Sequence, residues 1–176
     1  MNRAWNTSAT PGTSGRHATV SAATSRTYKT VAGLVRDRGA VRFDTKIAVL
    51  LRDDLLGWQQ LNVTAFLVSG LAGSRSELIG EPYEDADGTP YLPMFRQPVL
   101  VLEGSKEVLT AAHQRAVARE LPLSVFTADL FDTGFDAANR AAVKAVPRDA
   151  LDLVGLALHG PNNAVDKVVK GARMHG

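Results

Sequence analysis

Apolar and polar positions fall into recurring blocks from about residue 43 to the end of the chain. Thr45-Lys-Ile-Ala-Val-Leu-Leu51 is a short, mostly apolar run that predicts a buried central strand, closed by the charged Arg52-Asp-Asp54. Trp58, Leu61, Ala65, Val68 and Ala72 then recur at helical spacing. They predict an amphipathic helix with these residues as its apolar stripe, ending near Gly70 or Gly73. Residues 79–96 break the rhythm, and Asp87-Gly88 between Tyr83 and Tyr91 signals a hairpin. Pro98-Val-Leu-Val-Leu102 predicts a second buried strand. Ser105 stands where a helix cap belongs, ahead of inward-facing Val108, Leu109, Ala112 and Ala116.

Pro122 to Thr127 predicts a third strand, Asp129 to Asp136 a loop, and Ala137 to Lys144 a helix. Asp152 to Leu158 predicts the fourth strand. Pro161 then opens a last helix through Val165, Val168 and Val169 to Gly171. Strands alternating with helices argue an α/β domain over 43–176. The expected architecture is three-layer α/β/α, with a central, mostly parallel or mixed four-stranded sheet covered by helices on both faces.

The preceding segment is different. Residues 1–42 are rich in Ser, Thr, Ala, Gly and Arg with little periodicity, which predicts a disordered basic tail. An organellar transit peptide or an early start codon are the other readings of this stretch. Charge follows the same boundary. Residues 1–45 hold seven basic and two acidic side chains, and residues 46–176 hold 13 and 16, so the folded part is mildly acidic. Nucleic-acid binding by clustered cations is therefore an argument for the tail alone. There is no cysteine, so packing alone must hold the fold. No apolar run approaches the roughly 20 residues that span a bilayer. The expectation is a cytoplasmic protein without membrane contact, cofactor or metal.

Ligands of open α/β sheets bind beyond the carboxyl ends of the strands. The groups near strand ends are Arg52 and Asp53, Arg96, the set Asp132, Thr133, Asp136, Asn139 and Arg140, and His159 with Asn162 and Asn163. Each has a plainer reading. Arg52 with its aspartates makes a surface ion pair, Asp132 to Asp136 supply turn chemistry, and His159 closes a strand. His17, His113 and His175 share no ligand spacing, and phosphate loops and nucleophile elbows are missing.

Longer strings say more. The run Leu156-Ala-Leu-His-Gly-Pro-Asn-Asn-Ala-Val-Asp-Lys-Val-Val-Lys-Gly-Ala-Arg-Met174 resembles the close of type 2 peptidyl-tRNA hydrolases. The opening Lys46-Ile-Ala-Val-Leu-Leu-Arg-Asp-Asp-Leu55 resembles their first strand. Trp58-Gln-Gln-Leu-Asn-Val-Thr-Ala-Phe66, Gly80-Glu-Pro-Tyr-Glu-Asp-Ala-Asp-Gly88, Met94-Phe-Arg-Gln-Pro-Val99 and Ala137-Ala-Asn-Arg-Ala141 add a closer likeness. They resemble the bacterial domain-of-unknown-function two-thousand family, which shares that fold. The resemblance covers roughly 43–176. It implies a peptidyl-tRNA hydrolase type 2-like fold, often paired as a homodimer.

It also implies site residues. The hydrolases' catalytic lysine falls at Asn62, or at best Gln59 or Gln60, and a histidine farther along that helix falls at Ser69. Their Asp-Ala-Gly-Arg-Thr loop aligns with Asp132-Thr-Gly-Phe-Asp136, which keeps the aspartate and glycine. Losing cations and gaining a carboxylate weakens the case for tRNA. Two functions stay open. One is an aminoacyl-ester hydrolase with Asp132 as general base, assisted by Thr133 or Asn62. The other is a non-catalytic domain that binds a small anionic ligand through the rim of Arg52, Asp53, Arg96, Asn139, Arg140 and His159, or docks a partner.

Overall fold

The computed structural model describes residues 42–176; the readings of residues 1–41 lie outside that range. β1 (Thr45–Arg52) leads to α1 (Gly57–Ser74) and a 3-10 turn at Ser76–Leu78. A small hairpin of β2 (Tyr83–Glu84) and β3 (Pro90–Tyr91) precedes β4 (Val99–Gly104) and α2 (Lys106–Val117). β5 (Leu123–Thr127) runs into a 3-10 turn at Ala128–Asp132 and α3 (Asp136–Lys144). β6 (Leu153–Pro161), α4 (Asn162–Val168) and β7 (Arg173–Met174) follow.

Among the described residues the main sheet has five strands in the order β5-β6-β1-β4-β7. Only β1 and β4 pair in parallel; β6 runs antiparallel to both β1 and β5, and β7 antiparallel to β4. The sheet is thus mixed, which corrects both the four-strand count and the mostly parallel alternative. An apolar run reports burial but not direction, so nothing in residues 153–161 disclosed the antiparallel return. β7 is two residues long, too short for any periodic signal.

Alternation along the strands sets the layers. Ile47, Val49 and Leu51 pack with Val63, Leu67 and Leu71 of α1 on one face. Ala48 and Leu50 pack with Leu109, Ala112 and Ala116 of α2 and Val165 and Val168 of α4 on the other. β6, paired on both edges and covered on both faces, is buried from Leu153 through Gly160. The hairpin tip is held by Asp85, whose carboxylate accepts the Asp87 and Thr89 amides and the Tyr91 hydroxyl. Gly88 there takes φ +81, a left-handed conformation that glycine adopts without strain.

The helix expected after β1 forms, but it faces the other way. Val63, Leu67 and Leu71 are buried, while Trp58 and Leu61 of the anticipated stripe are 60% and 76% exposed. Both faces of α1 are apolar and it carries no charged residue, so nothing in the pattern marks the outside. Ser105 occupies the N-cap position of α2, but its hydroxyl donates to the Glu107 carboxylate. Pro161 ends β6 and precedes α4 instead of opening it. Among the described residues no helix is long and apolar enough to cross a membrane.

Candidate functional site

Strand directions divide the sequence-derived candidates between two rims. Arg52 pairs with Gly104, and its guanidinium reaches the Leu153 carbonyl, so the C-terminal ends of β1 and β4 share a rim with the start of β6. Thr127, the end of β5, pairs with Leu153 and joins that rim. Arg96 and His159 lie at the opposite edge. Arg96 precedes β4, which begins beside Ile47, and His159 pairs directly with Ile47. One rim holding all of these groups is therefore not what the fold builds.

On the first rim the charges are already matched. Arg52 donates to Asp54 at 2.6 Å and Asp152 at 3.0 Å, and Lys106 reaches Asp152 at 2.8 Å. These cations hold the Asp152 carboxyl below its usual range, with the Lys106 hydrogen bond the largest cause. Asp53 faces Arg173 at 3.5 Å. This network fastens the ends of β1 and β6 together. Arg140 pairs with Asp136 one helical turn earlier in α3.

A cleft of about 380 Å³ opens between α1 and the segment from Leu130 to Asn139. Asn62 from the N-terminal third of α1 and Thr133 from the loop, far apart in sequence, both line it, as does Asn139. Asp132 is exposed and does not line it, while Asp136 does. The Thr133 hydroxyl donates to the Leu130 carbonyl at 2.9 Å and lies against the Asn139 side-chain oxygen, which ties the loop to the start of α3.

Aromatic rings make the walls. Trp58 meets Phe131 edge-on at 5.9 Å, Phe131 lies 5.2 Å from Phe126, and Phe126 meets Phe66 at 5.7 Å. Phe135 completes the set, so five of the chain's eight Trp and Phe residues line one cleft. Among the described residues no Lys, Arg or His lines it, and Asp136 is the only charged one that does. Such a surface suits a flat, apolar body with a hydrogen-bonding group. The sequence reading missed these rings. The available signal was the clustering of Phe126, Phe131 and Phe135 within ten residues.

His159 is buried, and its Nε2 has no hydrogen-bond partner among the described residues. Burial pushes its pKa below the ordinary value, Arg75 adds to this, and Glu77 opposes it. Burial likewise lowers His113, with Arg148 adding and Asp149 opposing. The unfolded chain therefore protonates these groups first as pH falls below about 6.5. Their neutral forms leave stability intact above that value, and stability declines on acidification through it. Thermal unfolding midpoints should drop between pH 7.5 and 5.5, and drop less in His159→Gln. A loss confined to pH below about 4 would assign the effect to carboxylates such as Asp152 instead. Among the described residues no group of three or more His, Asp or Glu is placed to hold a metal ion.

Comparison with known proteins gives a family without an assigned activity. The family described as a protein of unknown function (DUF2000) matches residues 45–176. No curated protein matches the chain. A solved structure from Agrobacterium tumefaciens strain C58, described as a protein of unknown function, is 47% identical with a TM-score of 0.75. That match covers 77% of this chain and 100% of the other. With three quarters of its length matched, the chain belongs to the DUF2000 family.

Proposed function

We propose that this domain has the fold of type 2 peptidyl-tRNA hydrolases and uses the aromatic cleft to bind a small molecule rather than to cleave tRNA esters. The observation that carries this reading is the meeting of Asn62 and Thr133. Resemblance assigned both to the hydrolase site, and both line the one cleft walled by Trp58 and Phe131. The amides of Asn62 and Asn139 would hydrogen-bond a polar group while the rings hold a flat apolar part. Arg140, just outside the cleft in α3, would meet an anionic substituent. Arg52 and Asp53 serve the rim network, and Arg96 and His159 lie at the far edge.

Two features count against turnover on tRNA. Among the described residues the cleft carries no cation for a phosphate backbone. Asp132 is exposed and does not line the cleft that Asn62 and Thr133 share. We take the protein to act in the cytoplasm on a soluble metabolite.

A thermal-shift screen of the full chain against flat aromatic and heterocyclic metabolites tests this. The right class raises the midpoint in proportion to ln(1 + [L]/Kd), and Asn62→Ala or Phe131→Ala abolishes the rise. An N-blocked aminoacyl-tRNA should survive incubation with the protein. Cleavage that disappears in Asp132→Ala would replace this reading with the hydrolase one.

A further inference from the structure

We propose that the ligand of the aromatic cleft is amphipathic: a flat ring that carries an aliphatic chain ending in an anion. The assignment rests on the cleft being the binding site, and adds a second compartment beside it. A shallow groove of about 450 Å³ adjoins the cleft, and Leu130 and Asn139 line both. The groove is completed by Val125 of β5 and by Arg140, Val143 and Lys144 of α3. Val125, Leu130 and Val143 are half-buried, so the floor of the groove is aliphatic where the walls of the cleft are rings. The two compartments differ in kind. Rings suit a flat aromatic body, and branched aliphatic side chains suit a flexible chain.

Charge divides along the same boundary. Among the described residues Asp136 is the one charged group lining the cleft, whereas the groove is lined by two cations one helical turn apart. Arg140 already pairs with Asp136, while among the described residues Lys144 has no carboxylate partner. An anion within the cleft would face Asp136, but an anion at the far end of the groove would meet Lys144. From Asn139 to Lys144 the helix rises about 7.5 Å, the length of roughly six extended methylenes. A ring seated against Trp58 and Phe131 thus lays its chain over Leu130 and Val143 and brings its anion to Lys144.

Isothermal titration of the full chain with naphthylacetate, naphthylbutanoate, naphthyloctanoate and naphthyldodecanoate, each beside its neutral primary amide, is the test. Affinity should rise about tenfold or more from the acetate to the octanoate. That is a fraction of what full burial of the added methylenes would give, because the groove is open. It should then level off at the dodecanoate, whose chain outruns the groove. Lys144→Ala should cost the octanoate about threefold more than its amide, as expected for an exposed charge pair. Val143→Asp should flatten the rise with chain length. Lys144 is exposed, so Lys144→Ala stays informative where Val143→Asp harms folding. Probes that bind through Phe131 yet gain nothing with length overturn the proposal and leave the cleft as a binding site. Affinity that keeps rising at the dodecanoate, in acids and amides alike, shows unspecific burial of the chain and also overturns it. Failure of every probe to bind overturns it too, and the metabolite screen then decides on the cleft alone.

Discussion

Phe126→Ala is expected to lower the free energy of unfolding by about 3–5 kcal/mol, the range for deleting a buried aromatic ring. Phe126 is 3% exposed and belongs to the core on the α1 side of the sheet. Its ring also backs Phe66 and Phe131, at 5.7 and 5.2 Å. Removing it leaves a void that β5 cannot close, because that strand is held in register to β6. Phe131 then loses its support, so ligand binding in the cleft should weaken together with stability. Urea denaturation of Phe126→Ala beside Phe126→Leu provides the measurement. A loss below about 1 kcal/mol for the alanine variant would show that the ring stack does not hold the loop.

Gly155→Val should be nearly as damaging, at the upper end of the ~1–3 kcal/mol seen for overpacked cores. A Cβ at Gly155 would stand 2.5 Å from the Val63 methyl and 3.0 Å from a Leu67 methyl, both on α1. β6 is bonded to β5 on one side and β1 on the other, so its backbone cannot retreat. The glycine is there because a helix packs directly against the strand. Denaturation midpoints of Gly155→Val, Val63→Ala and the double variant decide the matter. The double variant should recover part of the loss, since the two side chains compete for the same space. Simple addition of the two losses would show that the strain arises elsewhere.

How much of this was legible in the sequence varies by element. β1, β4 and β5 stood out because buried strands read as continuous apolar runs, and α2 because Leu109, Ala112 and Ala116 contrast with charged neighbours. The orientation of α1 was not legible, since without charge its two apolar faces carry the same signal. Pairing direction was also out of reach, and that error propagated to the site. With β6 antiparallel to β1, His159 stands at the rim opposite Arg52, although both residues close apolar runs.

Asn62 and Thr133 were found through resemblance, whereas the aromatic walls were not. Phe126 sits in a strand, Phe131 in a 3-10 turn and Trp58 in a helix, so no single period relates them. Only the tertiary fold makes them neighbours.

The position of β6 also bears on the order in which the protein can assemble during synthesis. β1 and β4 can pair as soon as both have left the ribosome, but β5 has no sheet neighbour until β6 is made. The strand that unites the two parts is translated after all the others except β7. Until then the apolar edges of β1 and β5 face water unpaired, a state prone to misassociation. Completion of the domain therefore waits on its late segment, and a nascent chain halted before Leu153 would be a natural client for chaperones.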